Sequence, residues 1–312
     1  MKSLQEADPE RVPASLRGLL PAILTIVIFL ISRQMLGYFF PGTSSELSGI
    51  QFLLYGCLIG LVYVGMILTG VYGAGTLERS ALRDFGLSID SQWLGTFVTG
   101  AGISLLGVSI SWWWGEFRGI RSLDLAAAGV RSTEGTLVVA AVLVVFTGYF
   151  LLGNVYEEVI YRRIMIDNFA EGLVKRGLSK KSAVGTATIS SLVVFGLLHV
   201  VYRGTVLVAI DATLTGTMFA FAYLLTGELA LPVGVHFGRI ITSVVRGESL
   251  GPVQVIGIGD VTQNTLTANL EIRFVQIGIV CMLVCLWVYF SRGSIRISED
   301  IYQRDAQQSR TE

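Results

Sequence analysis

Residues 137–163 read Leu137-Val-Val-Ala-Ala-Val-Leu-Val-Val-Phe-Thr-Gly-Tyr-Phe-Leu-Leu-Gly153-Asn-Val-Tyr-Glu157-Glu158-Val-Ile-Tyr-Arg162-Arg163. Roughly twenty mostly apolar residues run without interruption into two adjacent glutamates. A run of that length is enough for one transmembrane helix. Ionised carboxylates next to hydrocarbon cost several kcal/mol unless they are paired or wetted, so an intramembrane glutamate is read first as a functional residue.

The rest of the chain has the same character. Apolar residues make up 52% of it, charged residues only 15%, and the mean hydropathy is +0.65. Soluble domains carry about 25% charged residues. The expected fold is all-α, a polytopic transmembrane helical bundle of about eight spans in a single membrane domain, 1–312. The spans fall near 19–40, 50–71, 94–114, 137–161 or beyond, 183–201, 205–225, 229–245 and 274–290. The one at 229–245 is short. The formal net charge of zero gives no reason to expect a nucleic-acid partner. The expected partners are the lipid bilayer and a peptide or protein substrate at the membrane.

Lysine and arginine in short loops set orientation. With the N-terminus inside, fifteen of these residues fall in inner segments and six in outer ones. Both termini are therefore expected in the cytoplasm, as tails at 1–18 and 291–312, the latter polar and mobile. Arginine greatly exceeds lysine, which points to a GC-rich genome and a prokaryotic plasma membrane. Two longer loops, 115–136 and 247–271, face outward, and the second has the composition of a short hairpin. Cys57, Cys281 and Cys285 lie in apolar runs without zinc or disulfide spacing, and read as packing residues.

Helix geometry separates the two glutamates. Glu158 and Arg162 are i,i+4 with the acid N-terminal, the better order for an intrahelical pair. Glu157 points about 100° away from Glu158. Glu158 is thus neutralised by Arg162, while Glu157 is left to face a cavity, where it suits a general base acting on water. The plain alternative is that both acids snorkel to the cytoplasmic interface.

The chain has two histidines, His199 and His236, both in apolar stretches. Each alone reads as a hydrogen-bonded packing residue. Together with a glutamate pair they are the minimum for holding a metal, or for activating water and stabilising an oxyanion. There is no His-Glu-x-x-His pattern and no Gly-x-Ser-x-Gly.

Glu157-Glu158-x-x-x-Arg162, then Phe195-x-x-x-His199, then His236 in a short span resemble the three motifs of the CPBP family. This is the family of CAAX prenyl endoproteases and bacteriocin-processing or immunity proteins, also called Abi. Ser190-Ser191, Thr226-Gly227 and Leu82-Arg83-Asp84-Phe85-Gly86-Leu87 fit the same pattern. The likeness covers 79–246, with the motif core at 137–246. It implies an eight-span intramembrane endopeptidase that hydrolyses a peptide bond of a membrane-associated substrate. By the resemblance, Glu157 with His199 activates the water, His236 helps to hold the oxyanion, and Glu158–Arg162 is a structural pair. If the chemistry depends on a metal, Glu157, His199 and His236 would hold Zn²⁺.

One position departs from the family. It usually has a polar residue, commonly Asn, four after the last histidine, and here that position is Ile240. Arg239 is a candidate substitute, or a partner for Asp211, the acid inside the sixth span. Two alternatives stay open: an ion- or proton-coupled transporter subunit, and a catalytically silent family member that binds a membrane partner. Depth is a further constraint. Glu157 and His199 meet only if the fourth helix runs on to about Asn168, or if the fifth span begins later or tilts; the extension is expected, since Val159 to Phe169 have no Pro or Gly. Arg33, in the first span, reads as an interfacial snorkelling residue.

Overall fold

A computed structural model describes residues 12–42, 46–80, 82–127, 129–203, 205–247, 249–251, 253–256 and 259–301. The outermost parts of both tails, 1–11 and 302–312, lie outside the described residues. The fold is an all-α polytopic bundle, and seven helices among the described residues are long and apolar enough to cross a membrane. They are α1 (Ala14–Phe39), α2 (Gly49–Glu78), α3 (Ser91–Phe117), the continuous helix Thr136–Lys175, α6 (Lys180–Arg203), α7 (Val206–Thr226) and α10 (Leu266–Arg292).

The continuous helix has three parts. They are α4 (Thr136–Glu157), a π-helical stretch Glu158–Ile166, and α5 (Asp167–Lys175). It runs past Asn168 by almost two turns. The depth difficulty disappears as a result. Glu157 lies eighteen residues before Lys175, and His199 nineteen after Lys180. At 1.5 Å per residue both stand about 27 to 29 Å above the turn joining the two helices, so the hairpin brings them level.

The segment expected at 229–245 is not a single span. It is α8 (Ala230–Phe237), a 3-10 turn Gly238–Ile240 and α9 (Ile241–Arg246). Pro232 is tolerated because it falls in the first turn of α8, where no intrahelical N–H is lost. The element packs backbone to backbone on α3. A β-carbon on Gly234 would run into the Phe97 carbonyl, and one on Gly238 into the Ala101 carbonyl. Small residues at helix contacts in membranes permit this close approach.

Side-chain contacts sort the helix ends. Arg17 pairs with Glu171 at 2.6 Å, Asn168 donates to Glu78, and Tyr223 donates to Asp167 at 2.8 Å. These contacts gather the start of α1 and the ends of α2, α5 and α7 at one end of the bundle. A 3-10 turn at Leu82–Phe85 closes against them, with Phe85 fully buried. The tail after α10 docks there too: the Ser298 N–H donates to the Leu224 carbonyl at 2.8 Å and Ile301 is buried. Within the C-terminal tail, expected to be free, residues 297–301 are therefore docked against the bundle. Ile297 and Ile301 supply the apolar anchors that a merely polar reading of the tail overlooks.

The opposite end carries the strands, β1 (Arg121–Leu123), β2 (Gly129–Ser132), β3 (Ser249–Leu250), β4 (Val253–Ile256) and β5 (Gly259–Val261). β3 and β4 form the expected hairpin, with Leu250 opposite Val253. The larger pairing joins the two loops to each other: β2 runs antiparallel to β4, with Arg131 opposite Gln254, and β1 to β5, with Ser122 opposite Asp260. Leu250, Val253 and Val255 bury against Phe52 and Val142, which ties this small sheet to α2 and α4.

Candidate functional site

The two glutamates diverge where α4 becomes π-helical. Glu158 is the first residue of the widened turn, and its side chain is 0% exposed. Its Oε2 lies 3.3 Å from Nε of Arg162, which is also 0% exposed. This is a charge contact without good hydrogen-bond alignment, since Arg162 Nε and Nη1 find no hydrogen-bond partner among the described residues. Arg162 Nη2 donates to the Gly216 carbonyl at 3.4 Å, and its guanidinium lies 4.9 Å from the centre of the Phe195 ring. Gly216 admits this approach. A β-carbon there would sit 3.2 Å from Phe195 and 3.3 Å from Arg162.

Phe195 links that pair to the first histidine. Its ring stands edge-on to His199, centroids 4.6 Å apart, and edge-on to Tyr161 at 5.2 Å. The Nδ1 of His199 lies 2.8 Å from the Phe195 carbonyl, one helical turn back. With Nδ1–H donating there, Nε2 carries the lone pair.

His236 is the hub. Its Nδ1 lies 2.9 Å from Oε1 of Glu158 and its Nε2 3.6 Å from Oε2 of Glu157. The ring stacks on Phe219 with centroids 4.0 Å apart and planes 16° apart. Glu158 therefore touches both Arg162 and His236. A carboxylate paired with a guanidinium accepts from Nδ1–H, which turns Nε2 towards Glu157. Sequence spacing gave no sign of this contact, because it joins residues 78 apart.

Glu157, with 21% of its side chain exposed, lines a cavity of about 460 Å³ together with His199. Tyr63, Tyr156 and Arg33 share the wall. Tyr156 is buried and its hydroxyl is 3.1 Å from Thr25 Oγ1. Tyr63 packs against the helix one turn before Glu157, where a β-carbon on Gly153 would stand 3.1 Å from its ring. Sequence reading passed over Tyr63 and took Arg33 for an interfacial residue. They belong to α1 and α2, and no local pattern ties those helices to a glutamate a hundred residues away.

Two of the proposed supporting residues stand differently. Asp211 is not a partner of Arg239. Half-exposed, it is held by Arg273 of α10, whose Nε and Nη2 both lie 2.7 Å from its Oδ1. The α7–α10 contact wins because Arg273 reaches Asp211 at the strand-bearing end, whereas Arg239 follows His236 on the turn beyond α8. Ile240, on the same turn, offers no polar group.

As a metal site, the histidines and glutamates do not fit. No three His, Cys, Asp or Glu side chains gather closely enough to hold a metal ion among the described residues. Both nitrogens of His236 face carboxylates instead.

Fold and site together define an integral membrane helical bundle with a Glu–His cluster inside it. Residues 139–239 match the family described as type II CAAX prenyl endopeptidase Rce1-like, a stretch that holds Glu157, His199 and His236. Over this stretch, about a third of the chain, the sequence is similar to the CAAX protease family. No curated protein and no solved structure matches it.

Proposed function

We propose that this protein is an intramembrane endopeptidase of the CPBP type. The observation that carries the reading is one of convergence. Three helices contribute Glu157, His199 and His236, Glu157 and His199 share a cavity wall, and His236 Nε2 lies 3.6 Å from Glu157. A water in that cavity gives a proton to Glu157, and its oxygen attacks the peptide carbonyl carbon. His199 orients the water through Nε2. The water's proton is shared between Glu157 and the lone pair of His236 Nε2, 3.6 Å away, and while on Nε2 it is donated to the developing oxyanion, the kind of donor that is worth about 10²–10³ in rate. As the C–N bond breaks, Glu157 returns its proton to the leaving amine. Glu158 positions His236 and is itself held by Arg162.

The family description supports a substrate that is a membrane-associated peptide, prenylated or not. The excess of arginine over lysine supports a prokaryotic plasma membrane, and the bias of basic residues to inner segments supports both termini in the cytoplasm. The test is hydrolysis of a quenched-fluorescent peptide library by the full chain in proteoliposomes, with half of the library carrying a farnesylated cysteine. Cleavage is expected, and it should vanish in Glu157→Gln. Cleavage undiminished in Glu157→Gln would overturn the reading. Solute flux lost in Glu157→Gln, with no cleavage by the wild type, would favour the transporter. A phenotype kept by Glu157→Ala would favour a silent binder.

A further inference from the structure

A carbonyl attacked by a water on Glu157 lies in the cavity that Glu157 lines, so a donor to its oxygen has to come from the same wall. Most polar groups of that wall are committed or distant. Glu157 is the base, and His199 presents Nε2 as an acceptor, because its Nδ1–H donates to the Phe195 carbonyl. The Tyr156 proton is spent on Thr25. The Thr25 hydroxyl donates to the carbonyls of Pro21 and Ala22, at 3.0 and 2.9 Å, which leaves its Oγ1 to accept from Tyr156 at 3.1 Å. Arg33 lies eight residues from Thr25 on α1, and Tyr55 eight from Tyr63 on α2, each about 12 Å along the bundle.

Tyr63 is different. Its hydroxyl makes no hydrogen bond among the described residues, and the residue lines the cavity beside Glu157 and His199. The ring is flanked by Phe29 and Tyr156, with centroids 6.4 and 6.2 Å away. Gly153 fixes where the hydroxyl stands. A β-carbon there would lie 3.1 Å from the ring and 3.4 Å from the hydroxyl oxygen. Glu157 is one turn on from Gly153, and residues four apart share a helix face with β-carbons about 5–6 Å apart. The hydroxyl is therefore on the order of 6 Å from the β-carbon of Glu157, with room for a peptide carbonyl and its attacking water between it and the carboxylate.

We propose that Tyr63 is a further catalytic residue, whose hydroxyl donates to the peptide carbonyl oxygen and holds the oxyanion that forms there. As the water oxygen bonds to the carbonyl carbon, the π pair of the C=O bond moves onto oxygen, and the hydrogen bond from Tyr63 strengthens with the charge. When the intermediate collapses, that pair re-forms the C=O bond and the C–N bond breaks. Tyr63 keeps its proton throughout, so it is neither the acid nor the base. A neutral phenol suits the place, since it needs no counter-ion inside the membrane. It also stands ready before any proton has moved, whereas the His236 proton first has to come from Glu157. Preorganised donors of this kind stabilise charge as it develops, with no reorganisation at the moment of reaction. The role rests on the peptidase reading, and the choice of Tyr63 on the cavity wall.

The test uses the full chain in proteoliposomes and the best-cleaved peptide of the library. Tyr63→Phe keeps the ring and its aromatic neighbours, so the melting temperature should stay at the wild-type value. Its kcat should fall about 10²-fold with KM nearly unchanged, the low end for loss of one oxyanion donor. The second readout is an analogue of the same peptide with a phosphinate in place of the scissile amide, whose anionic oxygens stand in for the oxyanion. Its inhibition constant should rise by a factor similar to the fall in kcat. The Kd of the uncleaved peptide, measured in Glu157→Gln with and without Tyr63→Phe, should not move. A kcat that falls by less than about tenfold overturns the proposal. So does phosphinate binding that is unmoved, or that weakens no more than peptide binding does, since either outcome marks a packing role. In all these cases the wild type cleaves. A wild type that cleaves nothing, or cleavage that survives Glu157→Gln, overturns the peptidase reading and the role of Tyr63 with it.

Discussion

One helix carries two buried acid–arginine pairs, Glu158–Arg162 and Arg163–Asp167, with the same i,i+4 spacing and adjoining residues. They have different surroundings. Asp167 takes Arg163 at 2.7 Å and the Tyr223 hydroxyl on both oxygens, at 2.8 and 2.9 Å. Arg163 also donates to the Asp84 carbonyl and lies over the Phe85 ring, while Asn168 next door joins Glu78. This lower cluster is cross-linked to α2, α7 and the 3-10 turn, and it touches none of the cavity. In the upper cluster Glu158 is shared between Arg162 and His236, Arg162 keeps nitrogens without hydrogen bonds, and Glu157 opens onto a cavity. Saturation separates the two. Where both carboxylate oxygens are satisfied within the fold, as at Asp167, the pair is a fastening, and where a neighbouring carboxylate is left to a cavity the pair holds chemistry in place.

The sharpest way to break this contrast is to remove the charge of each acid and read activity and stability separately. Glu157→Gln should lower peptide cleavage by about 10³-fold, the middle of the range for a positioned general base, with the melting temperature in detergent nearly unchanged. Asp167→Ala should do the reverse. Breaking a buried, hydrogen-bonded pair costs about 3–5 kcal/mol, so thermal unfolding should fall steeply, while the molecules that stay folded keep their cleavage rate per mole. An Asp167 variant with normal stability would show that the lower cluster is no fastening.

Smaller changes sharpen the upper cluster. Glu158→Gln keeps an acceptor for His236 but removes the charge that balances Arg162. It should lower kcat by about tenfold with little change in KM, the size of one charge-assisted hydrogen bond at about 1.5 kcal/mol. Phe219→Leu removes the stack beneath His236 and should cost about three- to tenfold in cleavage rate, in line with about 0.5–1.5 kcal/mol for an aromatic pair. The least effect is expected from Asp211→Asn. A half-exposed pair contributes about 1 kcal/mol or less, so both stability and cleavage should stay near wild type. A large loss of activity there would return Asp211 to the site from which its pairing with Arg273 removes it.

What can be read from the chain follows from what is local. Seven spans announce themselves because twenty apolar residues in a row admit little else in this composition. Glu158 and Arg162 can be paired on paper because four residues are one turn. The element at 230–246 is misread as a plain span because its one interruption, the 3-10 turn Gly238–Ile240, starts where Gly238 fits against α3, and the glycine does not show its neighbour in sequence. The same holds for the strands. A hairpin at β3–β4 is local and legible, whereas the pairing of β2 with β4 joins loops more than a hundred residues apart. In the site, the motifs point to the glutamates and histidines. The Glu158–His236 contact and the Tyr63 and Arg33 walls depend on how four helices are arranged, and no spacing encodes that.

The glycine seam between α3 and α8 has one more consequence. Main chain meets main chain at Gly234 and Gly238, so the seat of His236 does not depend on which side chains α3 presents elsewhere. Lipid-facing positions such as Leu94, Val98 and Leu105 are exposed on that same helix. They are free to drift as a bilayer changes in thickness or composition, while the imidazole keeps its address. Adaptation to the membrane and upkeep of the chemistry are written on adjoining faces of a single helix, one read by side chains and the other by main chain.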